Sequence, residues 1–222
     1  MNDEQIDSVF ESAPDLPPAL ANKIRAQIQR DTHLAKPMLS SSVYTLIFAL
    51  GFAAVSILFA AAVQFKGLHI LSTAAATQLL LALVIVALFG ANTVARSMRP
   101  AGGRLRTWII AGLAFVLYEA LVIRLFSGYA TDGFVHNGLL CLSFGLLCGA
   151  TVATPIWIAV HRRGFVVEPV LSGAAIGLVG GLAGLTMLTL HCPILTVPHT
   201  GIWHAAVIVV CVATGAIAGR MK

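Results

Sequence analysis

The chain has 222 residues, of which 58% are hydrophobic and 10% charged, with a formal net charge of +5. Soluble domains average about 25% charged residues, so this composition excludes an ordinary water-soluble globular protein and points to the lipid bilayer. The positive balance calls for no nucleic-acid partner, because basic residues accumulate on the cytoplasmic side of membrane proteins in any case.

Residues 1–41 are compositionally separate. Asp3, Glu4, Asp7, Glu11 and Asp15 make the start acidic, where a cleavable signal peptide would be basic and then apolar. Leu16-Pro17-Pro18 opens a segment expected to be helical over about 16–30, with Asp15 as its cap. Proline is tolerated in a first turn, whose amides have no intrahelical acceptor. Leu16, Leu20, Ile24 and Ile28 recur every four residues and form an apolar stripe, with Lys23, Arg25, Gln27 and Arg30 outside it. Two partners suit such a stripe: the membrane surface, or the groove of another protein.

Six apolar segments follow, at about 42–63, 73–94, 107–126, 139–160, 169–190 and 202–219. About 20 helical residues cross a hydrocarbon core of about 30 Å. None of the segments shows the polar/apolar alternation of a barrel strand. The expected architecture is therefore all-α: a cytoplasmic tail over 1–41 and a bundle of six transmembrane helices over 42–222. With the N-terminus inside, 12 of the 14 Lys and Arg residues fall on the cytoplasmic side, and only Lys66 and Arg124 fall outside. The positive-inside rule then places both termini in the cytoplasm of a bacterial inner membrane.

Within the segments, the third carries Glu119 and, near its end, Arg124. A carboxylate in the hydrocarbon region is costly and defaults to a functional reading, with Arg124 or His136 as its expected partner. Gln78 and Asn92 are expected to hydrogen-bond between helices. The fifth segment carries Gly173, Gly177 and Gly181 at intervals of four, with Gly180 and Gly184 as a second pair. Small residues at this spacing let helix backbones approach closely. Packing inside the bundle is the expected use, with homodimerisation through the same face as the alternative.

Unusual residues collect toward the outer side. Cys141 and Cys192 are both expected near the outer boundary, where a disulfide between them would tie the fourth span to the last loop. Cys148 and Cys211 read as small hydrophobes. His191, Cys192, His199 and His204 offer the imidazole and thiolate ligands that zinc or copper(I) selects, although their spacing matches no standard zinc motif. If Thr200 caps the last helix, His199 precedes the cap and His204 is the fourth helical residue. Those two positions meet in a hydrophobic staple, so the imidazoles are expected to approach one another. No phosphate-binding glycine loop, nucleophile elbow or pair of catalytic carboxylates is present, and no enzymatic activity is expected.

The order of these features carries a resemblance. Leu16-Pro17-Pro18-Ala19-Leu20 leads into a basic amphipathic stretch, six spans follow, and a late His191-Cys192-Pro193 loop leads to Trp203-His204. This layout resembles the NrsF-type negative regulators of sigma factors, of which the chain looks like a divergent member, with Trp203-His204 where typical members carry Trp-Tyr. The resemblance implies a membrane-bound anti-sigma factor whose cytoplasmic tail sequesters an extracytoplasmic-function sigma factor. An event at the outer face, with the late loop and Cys192 at the sensory end, would release it. Two other classes remain open on the residues alone: a transporter or channel using Glu119, Gln78 and Asn92, and a redox- or metal-sensing membrane protein built on the outer cluster.

Overall fold

The structure is a computed structural model that describes residues 17, 20, 22–24, 26–27, 40–97, 104–126, 128–129, 132–163 and 168–221. The chain divides into two compact units, residues 1–38 and 39–222. In the first, residues 20, 22–24, 26 and 27 are helical, and the Leu20 amide donates to the Pro17 carbonyl at 2.9 Å. Leu20 is exposed and Ile24 half-buried. The other two members of the apolar stripe, Leu16 and Ile28, and the expected cap Asp15 lie outside the described residues.

The second unit contains α1 (Ser41–Ala62), α2 (Lys66–Ile70), α3 (Thr73–Ser97), α4 (Arg104–Leu125), α5 (Phe134–Arg163) and α6 (Pro169–His191), then a π-helical turn (His199–His204) that runs into α7 (Ala205–Arg220). The described residues form no β-strand, only an isolated bridge between Gly128 and Thr196. Local chemistry explains two of the helix starts. The Ser40 side chain accepts from the Val43 amide at 3.3 Å, satisfying one of the donors left open at the start of α1. Pro169 opens α6 in the first turn, where its missing N–H costs nothing.

Five helices among the described residues are long and apolar enough to cross a membrane: Ser41–Ala62, Thr73–Arg96, Phe134–Arg162, Pro169–His191 and His199–Arg220. The expectation of six is corrected to that extent. The third segment is helical over 22 residues as α4, but it includes Arg104, Arg106, Glu119 and Arg124 and is the least apolar of the long helices.

The helices are not equivalent. In the apolar stretch of α6, 83% of residues are buried by the protein itself, against 17–33% in the other four. Helix α6 achieves this by having almost no side chains on two of its faces. On one, a Cβ at Gly173 or Gly177 would strike the backbone carbonyl of Gly215 or Cys211 in α7, and one at Gly181 would lie 2.6 Å from Ile208 Cα. On another, Gly184 meets the carbonyl of Gly145, and a Cβ at Gly180 would lie 2.7 Å from that of Gly149 in α5. Where lipid supplies no hydrophobic drive between helices, such backbone contact supplies the dispersion energy of association. The Gly173/Gly177/Gly181 face is thus filled by α7 of the same chain and is not available as a homodimer surface.

Helix α1 closes on α6 through Ser56, whose Oγ donates to the Ala183 carbonyl at 3.1 Å, and α4 closes on it through Tyr118, 3.2 Å from Thr189 Oγ1. Since the Thr189 hydroxyl already donates to the Leu185 carbonyl, Tyr118 is the donor. Leu46, Leu50, Leu81, Val116 and Val209 instead face outward. An apolar surface this broad is what a lipid environment covers.

Candidate functional site

At the end of the bundle where α6 stops and α5 and α7 begin, four side chains converge: Cys141, Cys192, His199 and His204. One sulfur or ring-nitrogen atom from each lies within 4.8 Å of those of the others. The Cys141 and Cys192 sulfurs are 3.7 Å apart, and Cys192 Sγ lies 3.5 Å from His199 Nε2. The two imidazoles pack edge to face with centroids 5.3 Å apart. All four cysteines of the chain are free thiols. Cys192, His199 and His204 are fully enclosed and Cys141 is half-buried.

Each member is delivered by a different local device. Cys141 lies in the second turn of α5, and Cys192 is the C-cap of α6, with its amide on the Leu188 carbonyl at 2.7 Å. The histidines depend on the π turn. In a regular α-helix a residue five positions on lies about 140° around the axis, so only one of the two imidazoles would face Cys192. Widening the turn to i→i+5 hydrogen bonding brings positions 199 and 204 back to one face. Thr200 is therefore not the helix cap: its amide and hydroxyl both bond to the Thr196 carbonyl, at 3.0 and 2.8 Å, and helical geometry begins before it. The imidazoles do meet as the spacing suggests, but through the π turn rather than a staple.

The turn is held in place by Trp203, which lies over Gly138 so closely that a Cβ there would strike the indole ring. Phe134 packs on the other part of the same ring, with centroids 5.6 Å apart. This seat fixes the start of α7 against the start of α5, one turn from Cys141. The sequence hid its role, because a tryptophan near a membrane boundary is ordinary; the usable signal was a glycine three residues before one thiol and a tryptophan adjacent to one imidazole.

Of the set His191, Cys192, His199 and His204 named from sequence, the structure brings together the last three and turns His191 away. His191 Nδ1 donates to the Gln64 carbonyl at 2.9 Å, tying the end of α6 to the turn after α1, where Gln64 takes a left-handed φ of 73°. Cys141 stands where His191 was expected. The two readings of the outer residues, a thiol pair and a metal set, therefore describe one constellation.

Electrostatically, the cluster favours the thiolate of Cys192. The neighbouring Cys141 thiol holds its pKa well below the usual thiol range despite burial, with His199 and His204 acting in the same direction. Glu119 does not face its expected partners. It lines a narrow crevice with Tyr118, Thr189, Thr200 and His204 on the flank of the cluster, while the side chains of Arg124 and His136 are exposed. Asn92 likewise pairs along its own helix, accepting from Arg96 Nε at 3.4 Å, and Gln78 is exposed.

Comparison with known proteins gives one result. The NrsF family, described as negative regulator of sigma F, matches residues 29–222, most of the chain, and the chain belongs to that family. No curated protein and no solved structure matches it.

Proposed function

We propose that this member of the NrsF family is an inner-membrane anti-sigma factor. Its cytoplasmic N-terminal segment sequesters an extracytoplasmic-function sigma factor, and a signal at the opposite end of the bundle releases it. The observation that carries this reading is the family match across residues 29–222, since a negative regulator of a sigma factor needs that factor as its partner.

The distribution of charge supports the orientation. If all six long helices cross, α4 included, both termini share a side with 12 of the 14 basic residues. The Cys/His constellation then lies at the outer end, at the start of α5 and α7, while Arg162 and Arg220 lie at their other ends. One face receives and the other responds. A signal acts only by favouring one arrangement of the bundle over another, because a ligand that binds both equally shifts nothing.

The tail's stripe is the proposed contact, with Leu20 exposed and helical in the described part. The test is co-purification of a sigma factor encoded beside this chain with the full-length protein, together with transcription from a promoter that factor recognises. Leu20→Asp combined with Ile24→Asp is expected to abolish co-purification and raise transcription to the level seen without the chain. Retained binding by the double variant removes the stripe from the reading, and no sigma factor on the wild-type chain overturns the reading itself.

A further inference from the structure

The four side chains at the head of α5, α6 and α7 are a complete first coordination shell. We infer that Cys141, Cys192, His199 and His204 form a closed tetrahedral site for a single d10 cation of the zinc type. The inference deepens the sensory role proposed above and rests on it only for its biological meaning.

Geometry is the first support. Bonds of about 2.3 Å to sulfur and about 2.0 Å to nitrogen at tetrahedral angles place two sulfurs about 3.8 Å apart and a sulfur and a nitrogen about 3.5 Å apart. The corresponding separations here are 3.7 Å for Cys141 and Cys192 and 3.5 Å for Cys192 and His199. All four ligand atoms lie within 4.8 Å of one another, so one central ion reaches every donor with small side-chain adjustments.

Burial is the second. His204 is 1% exposed, and its Nε2 has no hydrogen-bond partner among the described residues. A buried polar nitrogen left unsatisfied is destabilising, and a coordination bond is the partner this constellation offers.

Charge is the third. Two thiolates and two neutral imidazoles around a doubly positive ion sum to zero, so the complex as a whole places no net charge in the low-dielectric head of the bundle. Binding releases the two thiol protons. Hard cations such as calcium and magnesium are excluded, because they require oxygen ligands and the four donors include none. The ligand set leaves no open position, which is the pattern of a structural or sensing site rather than a catalytic one. Since the donors come from α5, the end of α6 and the turn leading into α7, the ion joins three helices, two of which also meet there through the Trp203–Gly138 seat.

The test uses the full-length protein purified in detergent under reducing conditions and loaded with Zn2+ or Co2+. One tightly held equivalent per chain is expected. The Co2+ form should show intense visible bands of tetrahedral coordination and a thiolate-to-metal charge-transfer band, and X-ray absorption of the Zn2+ form should give two sulfur and two nitrogen neighbours. Cys141→Ser and His204→Ala are each expected to weaken binding at least tenfold, whereas His191→Ala leaves it unchanged.

Wild-type spectroscopy keeps the proposal falsifiable if a cluster variant fails to fold. Weak octahedral Co2+ spectra, loss of the ion to a brief chelator wash, a ligand count other than two and two, or equal dependence on His191 each overturn it. None of these readouts involves the tail. A chain that holds the ion but no sigma factor overturns the proposed function alone, and one that binds the sigma factor but no ion overturns this site alone.

Discussion

Near Pro169, α6 and α7 meet through backbone alone, with Gly173 and Gly177 against Gly215 and Cys211. About 25 Å further on, at a rise of about 1.5 Å per residue, the same two helices part into a loop and a π turn that present a thiol and two imidazoles. One end is closed by backbone contact; the other concentrates the chain's unusual chemistry. The contrast teaches a division of labour, in which a tightly packed small-residue seam sets the spacing that lets Cys192, His199 and His204 hold their reactive groups in register.

Breaking the seam should have the largest effect. In Gly177→Leu the new side chain meets the Cys211 carbonyl and Val212, both backbone that cannot move aside. A loss of at least about 3 kcal/mol is expected for overpacking of this kind. Thermal denaturation in detergent micelles should show it, and an unchanged melting temperature would mean that the seam does not set the fold.

Gly138→Ala tests the other end. Its methyl group collides with Trp203, so about 1–3 kcal/mol is expected, together with altered alkylation kinetics of Cys192. Loss of stability with unchanged thiol kinetics would separate the Trp203 seat from the cluster.

Smaller still is His191→Ala, which removes one partly exposed hydrogen bond to Gln64. About 0.5–1.5 kcal/mol is expected from chemical denaturation, with no change in thiol reactivity. An altered Cys192 rate would bring His191 back into the site. Leu50→Ala lies at the bottom of the scale: the side chain is 61% exposed on the outside of α1, where a lipid tail replaces the lost contacts, and a melting shift within about 0.5 kcal/mol of zero is expected. A large shift would show that protein, not lipid, covers this face.

Much of the fold was legible because charge marks helix ends so sharply in a membrane protein. The uncharged run from Pro169 to Gly219, interrupted by His191-Cys192-Pro193, foretold α6 and α7, and the glycine spacing foretold the close contact of α6 with its neighbours. The family resemblance was legible from the late loop, which lies within the matched residues 29–222. What escaped was set by distance and by irregular geometry. Cys141 and His204 are 63 positions apart, and no pattern along a chain states that they share a site. The choice of Cys141 over His191 depends on a hydrogen bond to the backbone of Gln64, which carries no side-chain signature. The π turn was missed because Thr200 looks like a helix cap and nothing in His199-Thr200-Gly201-Ile202 announces a wider winding. Glu119 was placed correctly in α4, but its neighbour across the crevice, His204, lies on a helix that only the tertiary fold brings near.

The π turn also links the constellation to the number of residues between its two histidines. A π turn is an α-helix with one residue too many, and Gly201 sits in it with open space around its Cβ position. Deleting that one residue would let the segment wind as ordinary α-helix while α7 kept its seam on α6. His199 and His204 would then be four positions apart, about 40° around an ordinary α-helix, and would still share one face. Five positions in a π turn and four in an α-helix therefore present the same pair of imidazoles, and it is an α-helical winding with the present count that would part them: winding and residue count specify the cluster together.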